Sequence, residues 1–330
     1  MENPALKCSK TWTLHSKMDS HPGGGDNPHS PVLYQLSIDF LQPESKGRYI
    51  DGTLGAGGHA MGILEASRPD GRLLGLDVDD RALEIAAANL KPFQDRVIIK
   101  KSSYADLDQQ MTSVGWGCAN GIILDLGVSS MQLDTAERGF SFIKEAPLDM
   151  RFNQTGGISA EELLNTWDER SIADIIWRFG EEPKSRQIVR EIIARRPLKT
   201  TSDLAALVLS VYRGKRGKVH PATKTFQAIR MAVNQELETL EKGLHRSVDA
   251  LCSGGRLVVI SFHSLEDRSV KQFFQRESRD CICPPDQLVC TCGHKASIRM
   301  LTRKPLTPTE EEIEKNPRSR SAKLRAIEKI

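Results

Sequence analysis

Short apolar runs and longer amphipathic stretches alternate through the first 127 residues. Arg48-Tyr49-Ile50, Arg72-Leu73-Leu74-Gly75-Leu76, Val97-Ile98-Ile99 and Gly121-Ile122-Ile123-Leu124-Asp125-Leu126-Gly127 each have the length of a buried strand. Between them Met61 to Glu65 begins one helix, and the alanine-rich stretch Asp80 to Leu90 predicts another. This order predicts a parallel sheet covered by helices, with ligands at the carboxyl ends of the strands. From Ile158 to about Arg246 the signals are helical. Ser159 and Glu162 have the form of a capping box, Ser171 precedes Ile172 to Trp177, and Thr201-Ser202-Asp203 precedes Leu204 to Val211. A last amphipathic helix is predicted from Thr223 to His245, and strand character returns from Gly255 to His263. The chain therefore divides into a disordered leader (1–28), a sheet domain in two parts (29–135 and 248–330), the second ending in a basic tail from Arg318 to Arg325 expected to add phosphate contacts, and an all-α insertion (136–247).

The sharpest local feature joins the first two strands. Asp51-Gly52-Thr53-Leu54-Gly55-Ala56-Gly57-Gly58-His59 is a glycine-rich turn, and Asp77 closes the next strand twenty residues after Gly57. Glycines let a backbone approach a nucleotide, and an acid at the second strand end can accept both ribose hydroxyls. The letters Gly55-x-Gly57-x-x-Ala60 also satisfy a degenerate dinucleotide pattern. Asp51, however, would repel a pyrophosphate and suits the sulfonium and ammonium of S-adenosylmethionine. Asp51, Asp77, Tyr104 and Asp125 all fall at strand ends, so they converge on one edge of the sheet.

Length and composition add bounds. The 330 residues can bury a sizeable core, and 39% hydrophobic with 27% charged residues suits a soluble globular protein. No apolar stretch reaches 18 residues, which argues against a membrane span. Residues 1–28 lack the apolar core of a secretion signal, and seven cysteines without such a signal point to a reducing cytoplasm. Net charge is only +3, yet Lys184 to Arg230 holds twelve Lys or Arg against Glu191 and Asp203, a local excess of +10. Such a segment favours a polyanion, and Arg213-Gly214-Lys215-Arg216-Gly217-Lys218 is its most concentrated part. The insertion is thus expected to present RNA to the cofactor. A homodimer is left open.

Several separated strings resemble the RsmH (MraW) methyltransferases. They are His29-Ser30-Pro31-Val32-Leu33, the glycine turn, Leu124 to Asp134, Arg138-Gly139-Phe140-Ser141-Phe142, Pro147 to Arg151, Ser261 to Arg268 and Asn316 to Arg325. The resemblance covers roughly residues 29–330. It implies a Rossmann-like S-adenosylmethionine-dependent sheet that methylates the 4-amino group of a cytosine in the decoding region of 16S ribosomal RNA, in the small ribosomal subunit. Position by position it implies that Gly57, Gly58 and His59 line the methionine end of the cofactor, that Asp77 holds the ribose, that Tyr104 packs on the adenosine, and that Asp125 and Gln132 complete the pocket. Family members often carry phenylalanine where Tyr104 stands. Without the family, His59 would be read as a solvent-facing residue at a helix start, and Gln132 would have no reading.

For the chemistry, a cytosine amine is a weak nucleophile and needs alignment and acceptors for its N–H groups. Asp125 and His263 are the candidate catalytic residues, the first as acceptor and the second as proton carrier. The alternatives are that Asp125 serves only the cofactor and that His263 is structural. Phe140, Phe142 and Phe152 are candidates to stack on an extruded base, against a role in core packing. Cys281-x-Cys283 and Cys290-x-Cys292, with His294 beyond, suggest either a zinc clip or a loop of reduced thiols. The one-residue spacing favours the thiols, and no metal is assigned.

Overall fold

The computed structural model describes residues 31–93, 95–215, 217, 219–287 and 289–330. The leader, His29, Ser30, Arg216 and Lys218 lie outside the described residues. Seven strands form one sheet: β1 (Arg48–Asp51), β2 (Arg72–Asp77), β3 (Val97–Lys101), β4 (Ala119–Asp125), β5 (Leu251–Ser261), β6 (Ile298–Met300) and β7 (Lys323–Lys329). Their order is β3-β2-β1-β4-β5-β7-β6. The first five are parallel, whereas β7 runs antiparallel to β5 and β6 antiparallel to β7. This is the expected α/β, Rossmann-like sheet.

Residues alternate between two apolar layers. Ile122, Leu124, Leu257 and Val259 pack with Leu240, Leu244 and Phe274 on one face. Ile123, Val258 and Ile260 pack with Ile63, Leu64 and Leu90 on the other. With both faces covered, the strands read as unbroken apolar runs. The chain steps outward from β1 to β3 and then returns beside β1 as β4, which creates a switch point where β1 and β4 end.

Between β4 and β5 the chain leaves the sheet. Helices Ala160–Thr166, Glu169–Gly180, Ser185–Ala194, Thr201–Val211 and Ala222–Val233 share a separate core around Leu163, Ile176, Ile188, Leu204 and Ile229. Ser159 caps by accepting from the Glu162 N–H, the first half of the expected capping box, whereas the next two caps are Asp168 and Thr200 rather than Ser171 and Thr201. The helix expected from Thr223 to His245 is two helices, because Gln235 adopts φ +49° and Asn234 turns its side chain to the Met150 carbonyl and the Phe152 N–H. The second piece, Glu236–Ala250, packs on the sheet through Leu240, Leu244 and Val248. By packing, the insertion therefore ends near Val233 rather than at residue 247.

The end of the chain also differs from expectation. Residues read as a basic tail form β7 inside the sheet, with Lys323 and Arg325 paired to Asp267 and with Arg318 just upstream on Asp134. Cys118 and Cys252, at the starts of β4 and β5, are joined as a disulfide, which the reducing-cytoplasm reading did not anticipate.

Candidate active site

At the switch point a cleft of about 910 Å³ opens between the strand ends and the helical insertion. That size suits a nucleoside-scale ligand. Its floor is the glycine turn. Gly55 (φ +51°) and Gly57 (φ +83°) bend the backbone through conformations that side chains disfavour, and helix Gly58–Ala66 starts directly after. Asp77 fastens this turn: Oδ2 accepts the Gly55 N–H at 2.8 Å and Oδ1 accepts the Asp79 N–H at 2.9 Å. Thr53 Oγ1 accepts the Asp125 N–H at 2.6 Å, which ties the turn to β4.

The acids are not placed alike. Asp77 and Asp125 line the cleft, but Asp51 is 2% exposed, accepts the Thr53 N–H and lies beneath the turn rather than at its mouth. Gly57 also stays behind the wall, which Gly55, Ala56 and Gly58 form. Burial raises Asp51 to about 7. Burial, then the neighbouring Asp51 and Glu266, raise Asp125 well above the ordinary carboxylate range. Asp77 is also raised by burial. Asp125 Oδ1 is buried without a hydrogen-bond partner among the described residues. Such an oxygen is costly unless a ligand donor or cation reaches it.

His59 is buried, not solvent-facing. Its Nε2 lies 3.2 Å from the Val32 carbonyl, and burial lowers it to about 4, so the neutral ring donates from Nε2 and turns Nδ1 toward Asp125 Oδ2 at 3.8 Å. Tyr104 follows β3 and faces the cleft with its ring against Gly243, where any Cβ would overlap it; burial raises its hydroxyl. Gln132 lines the cleft, but its amide is engaged: Nε2 donates to Asp79 Oδ2 at 2.9 Å and Oε1 accepts the Ser129 N–H.

The cleft also holds Arg230 and His263, which the sequence had singled out, with Glu236 and Glu266, which it had not. Arg230 grips Glu236 with two hydrogen bonds of 2.8 and 2.9 Å. His263 caps helix Ser264–Glu277 by accepting the Glu266 N–H at Nδ1, and its Nε2 lies 3.1 Å from Glu266 Oε1. Burial raises Glu236 despite Arg230. Burial would also raise Glu266, but His263 and Arg230 hold it below its ordinary value. Glu266 falls inside the family-like string Ser261 to Arg268, but no role was read for it, because its partners His263 and Arg230 meet it only in the fold. Phe140, Phe142 and Phe152 all line the cleft; Phe140 stacks on Phe152 at 5.5 Å, and Phe142 sets its edge on Phe226 at 4.8 Å.

Residues 26–330 match the MraW methylase family. The chain belongs to that family. Over 303 residues it is 50% identical to "Ribosomal RNA small subunit methyltransferase H" of Dehalococcoides mccartyi, covering 92% of this chain and 87% of that one. Proteins of the same name from Thermomicrobium roseum and Syntrophus aciditrophicus are 50% and 48% identical, covering 92% and 94% of this chain and 94% and 100% of theirs. In this MraW methylase, a pocket lined by the carboxyl groups of Asp77 and Asp125, with a fixed glycine turn between β1 and β2, fits S-adenosylmethionine, whose positive charge favours their ionised forms.

The cationic segment is less free than its sequence suggests. Arg196 donates to the Leu164 and Trp167 carbonyls, Lys184 to the Val211 carbonyl, Lys224 to the Glu181 carbonyl, and Arg230 is committed to Glu236. Arg186, Lys199, Arg213 and Lys215 are exposed. No helix among the described residues is long and apolar enough to cross a membrane.

Proposed function

We propose that this methylase transfers the methyl group of S-adenosylmethionine to the 4-amino group of a cytosine in the decoding region of small-subunit ribosomal RNA. Membership of a methylase family, and relatives named for the small-subunit RNA, support the substrate class. The observation that carries the site is Asp125, which lines a cleft walled by the strand ends and the insertion and keeps one buried oxygen without a hydrogen-bond partner among the described residues.

In this reading Asp77 keeps unused lone pairs for the ribose, Tyr104 packs on the adenosine, Gly58 and His59 border the methionine end, and Gly57 shapes the turn from behind. Gln132 acts through Asp79, holding the helix that follows Asp77. When bound, S-adenosylmethionine supplies an electrophilic methyl group on a sulfonium. Asp125 lies where it can answer that charge or accept from the cytosine N–H groups. His263, just beyond the end of β5, takes the released proton at Nδ1, letting go of the Glu266 N–H as it does so, while its Nε2 stays beside Glu266. The three phenylalanines offer faces for a base drawn out of its stack, and the exposed cations of the insertion hold its phosphates.

The test is methyl transfer from labelled cofactor to small subunits from cells lacking this gene, followed by nucleoside mass spectrometry. N4-methylcytidine is expected. Label on a ring carbon, or none, would refute the proposed acceptor.

A further inference from the structure

Between helix Ser264–Glu277 and β6 the chain makes an excursion, residues 279–297, in which no described residue is buried. Its base is tied by the Ser297 N–H on the Glu277 carbonyl at 2.9 Å and by His294 Nδ1 against the Arg279 carbonyl at 2.8 Å. The described residues of its outer part form no apolar core, with Val289 largely exposed. A segment this long ordered without burial calls for another fastening, and small units of this kind use disulfides or metals.

Four sulfurs meet there. Cys281, Cys283, Cys290 and Cys292 place their Sγ atoms all within 4.8 Å of one another. Cys290 to Cys292 is 3.6 Å and Cys292 to Cys281 is 3.9 Å. Thiolates about 2.3 Å from one tetrahedral ion stand roughly 3.8 Å apart. Disulfide sulfurs are bonded at about 2.0 Å. Iron–sulfur clusters interpose several atoms between their cysteines and hold them further apart. The Ile282 N–H also points at Cys292 Sγ at 3.5 Å, the kind of donor that supports a bound thiolate. His294 is engaged by Arg279 and Glu277, which leaves a set of four cysteines.

We propose that Cys281, Cys283, Cys290 and Cys292 form a structural zinc site that staples the excursion between helix Ser264–Glu277 and β6. The one-residue spacing that made the sequence favour free thiols is no obstacle, because the two pairs lie against each other with all four sulfurs within 4.8 Å. A closed set of four thiolates with no open position suits Zn²⁺ and a structural role. Metal binding and ordering of the excursion are then one equilibrium.

The experiment uses the full chain purified under reducing conditions. Elemental analysis should find about one zinc per chain, and Co²⁺ added to the reduced, metal-stripped protein should give the visible absorption of tetrahedral thiolate coordination. Cys290→Ser combined with Cys292→Ser should lose both signals while binding of S-adenosylmethionine is retained. Should that variant fail to fold, chelation of the wild-type chain should open protease cleavage within residues 280–296, and zinc should close it again. Zinc content unchanged in the variant, no Co²⁺ uptake by the reduced chain, or a disulfide among these four cysteines in freshly isolated protein would each overturn the site.

Discussion

Arg138 Nη1 lies 2.6 Å from Asp79 Oδ2, with the two side chains 6% and 7% exposed. The pair joins the start of the insertion to the cap of the helix behind Asp77. Asp79 also accepts from Gln132 Nε2 and caps helix Asp80–Asn89, while Arg138 Nη2 donates to the Arg151 and Phe152 carbonyls. One ion pair thus fixes how the cleft's two walls meet.

Removing one member of such a pair strands a buried charge. Arg138→Met is expected to cost about 3–5 kcal/mol of stability. Arg138→Met with Asp79→Leu should recover part of that loss, since two apolar side chains leave no unpaired ion. Denaturant unfolding of the two variants checks this. Equal destabilisation by single and double variants would show that the pair's carbonyl and capping bonds, not its charges, matter most.

Asp77 is read as the ribose acceptor and is also the anchor of the glycine turn. Asp77→Ala should therefore weaken S-adenosylmethionine by about 1.5–3 kcal/mol, the range for a hydrogen bond to a charged group. Asp77→Asn keeps one oxygen for the Gly55 N–H and should recover part of the affinity. Calorimetry on both variants measures the difference, and unchanged affinity in Asp77→Ala would remove the residue from the pocket.

The buried carboxylates make two opposite pH dependences. Asp51 titrates near 7 in the folded chain, above its ordinary value, so the unfolded chain releases this proton first. Its contribution to stability is therefore full at acid pH and is lost as pH climbs to about 7. Cofactor affinity should run the other way, because a cationic ligand favours ionised Asp51 and Asp125. Titrations from pH 6 to 8 should show S-adenosylmethionine tightening, by up to about tenfold per unit for each proton released. S-adenosylhomocysteine, lacking the sulfonium charge, should respond less, and Asp51→Asn should flatten the curve.

Much of this site was legible because strands buried on both faces write themselves as apolar runs ending on polar residues, which located Asp77, Tyr104 and Asp125. Strand β7 was missed because Lys323 and Arg325 interrupt its apolar pattern, and only the fold supplies the Asp267 that neutralises them. The break at Gln235 was hidden because amphipathic periodicity continues through it, whereas its cause, Asn234 bonding to Met150 and Phe152, comes from more than 80 residues away. Asp79 reads locally only as a helix cap, and nothing local pairs it with Arg138, 59 residues away. Asp51 was placed correctly at a strand end but on the wrong side of the turn, since sequence gives strand direction and not the depth of a loop.

The cations of the insertion fall into two groups. Lys215, Arg216 and Lys218 changed together to Ala should weaken RNA binding and lower the salt slope by roughly 2–3, about one for each phosphate no longer neutralised. Cofactor affinity should be untouched. Arg230→Ala should instead damage the cleft, because it leaves buried Glu236 without its partner. Filter binding across a salt series separates the two, and an unchanged slope in the triple variant would move RNA recognition elsewhere.

His263 has two duties that a single deletion would confuse, since its Nδ1 caps helix Ser264–Glu277 while its Nε2 faces Glu266. His263→Ala removes the cap, at about 1 kcal/mol, as well as any proton carrier. His263→Asn discriminates, because asparagine is a favoured cap whose oxygen can accept the Glu266 N–H, yet it cannot take up a proton. If His263 carries the proton, His263→Asn should restore stability but leave kcat down by about 10²–10⁴, with cofactor affinity little changed. Full activity in His263→Asn would reduce His263 to a cap and pass the proton to Asp125 or to water in the cleft.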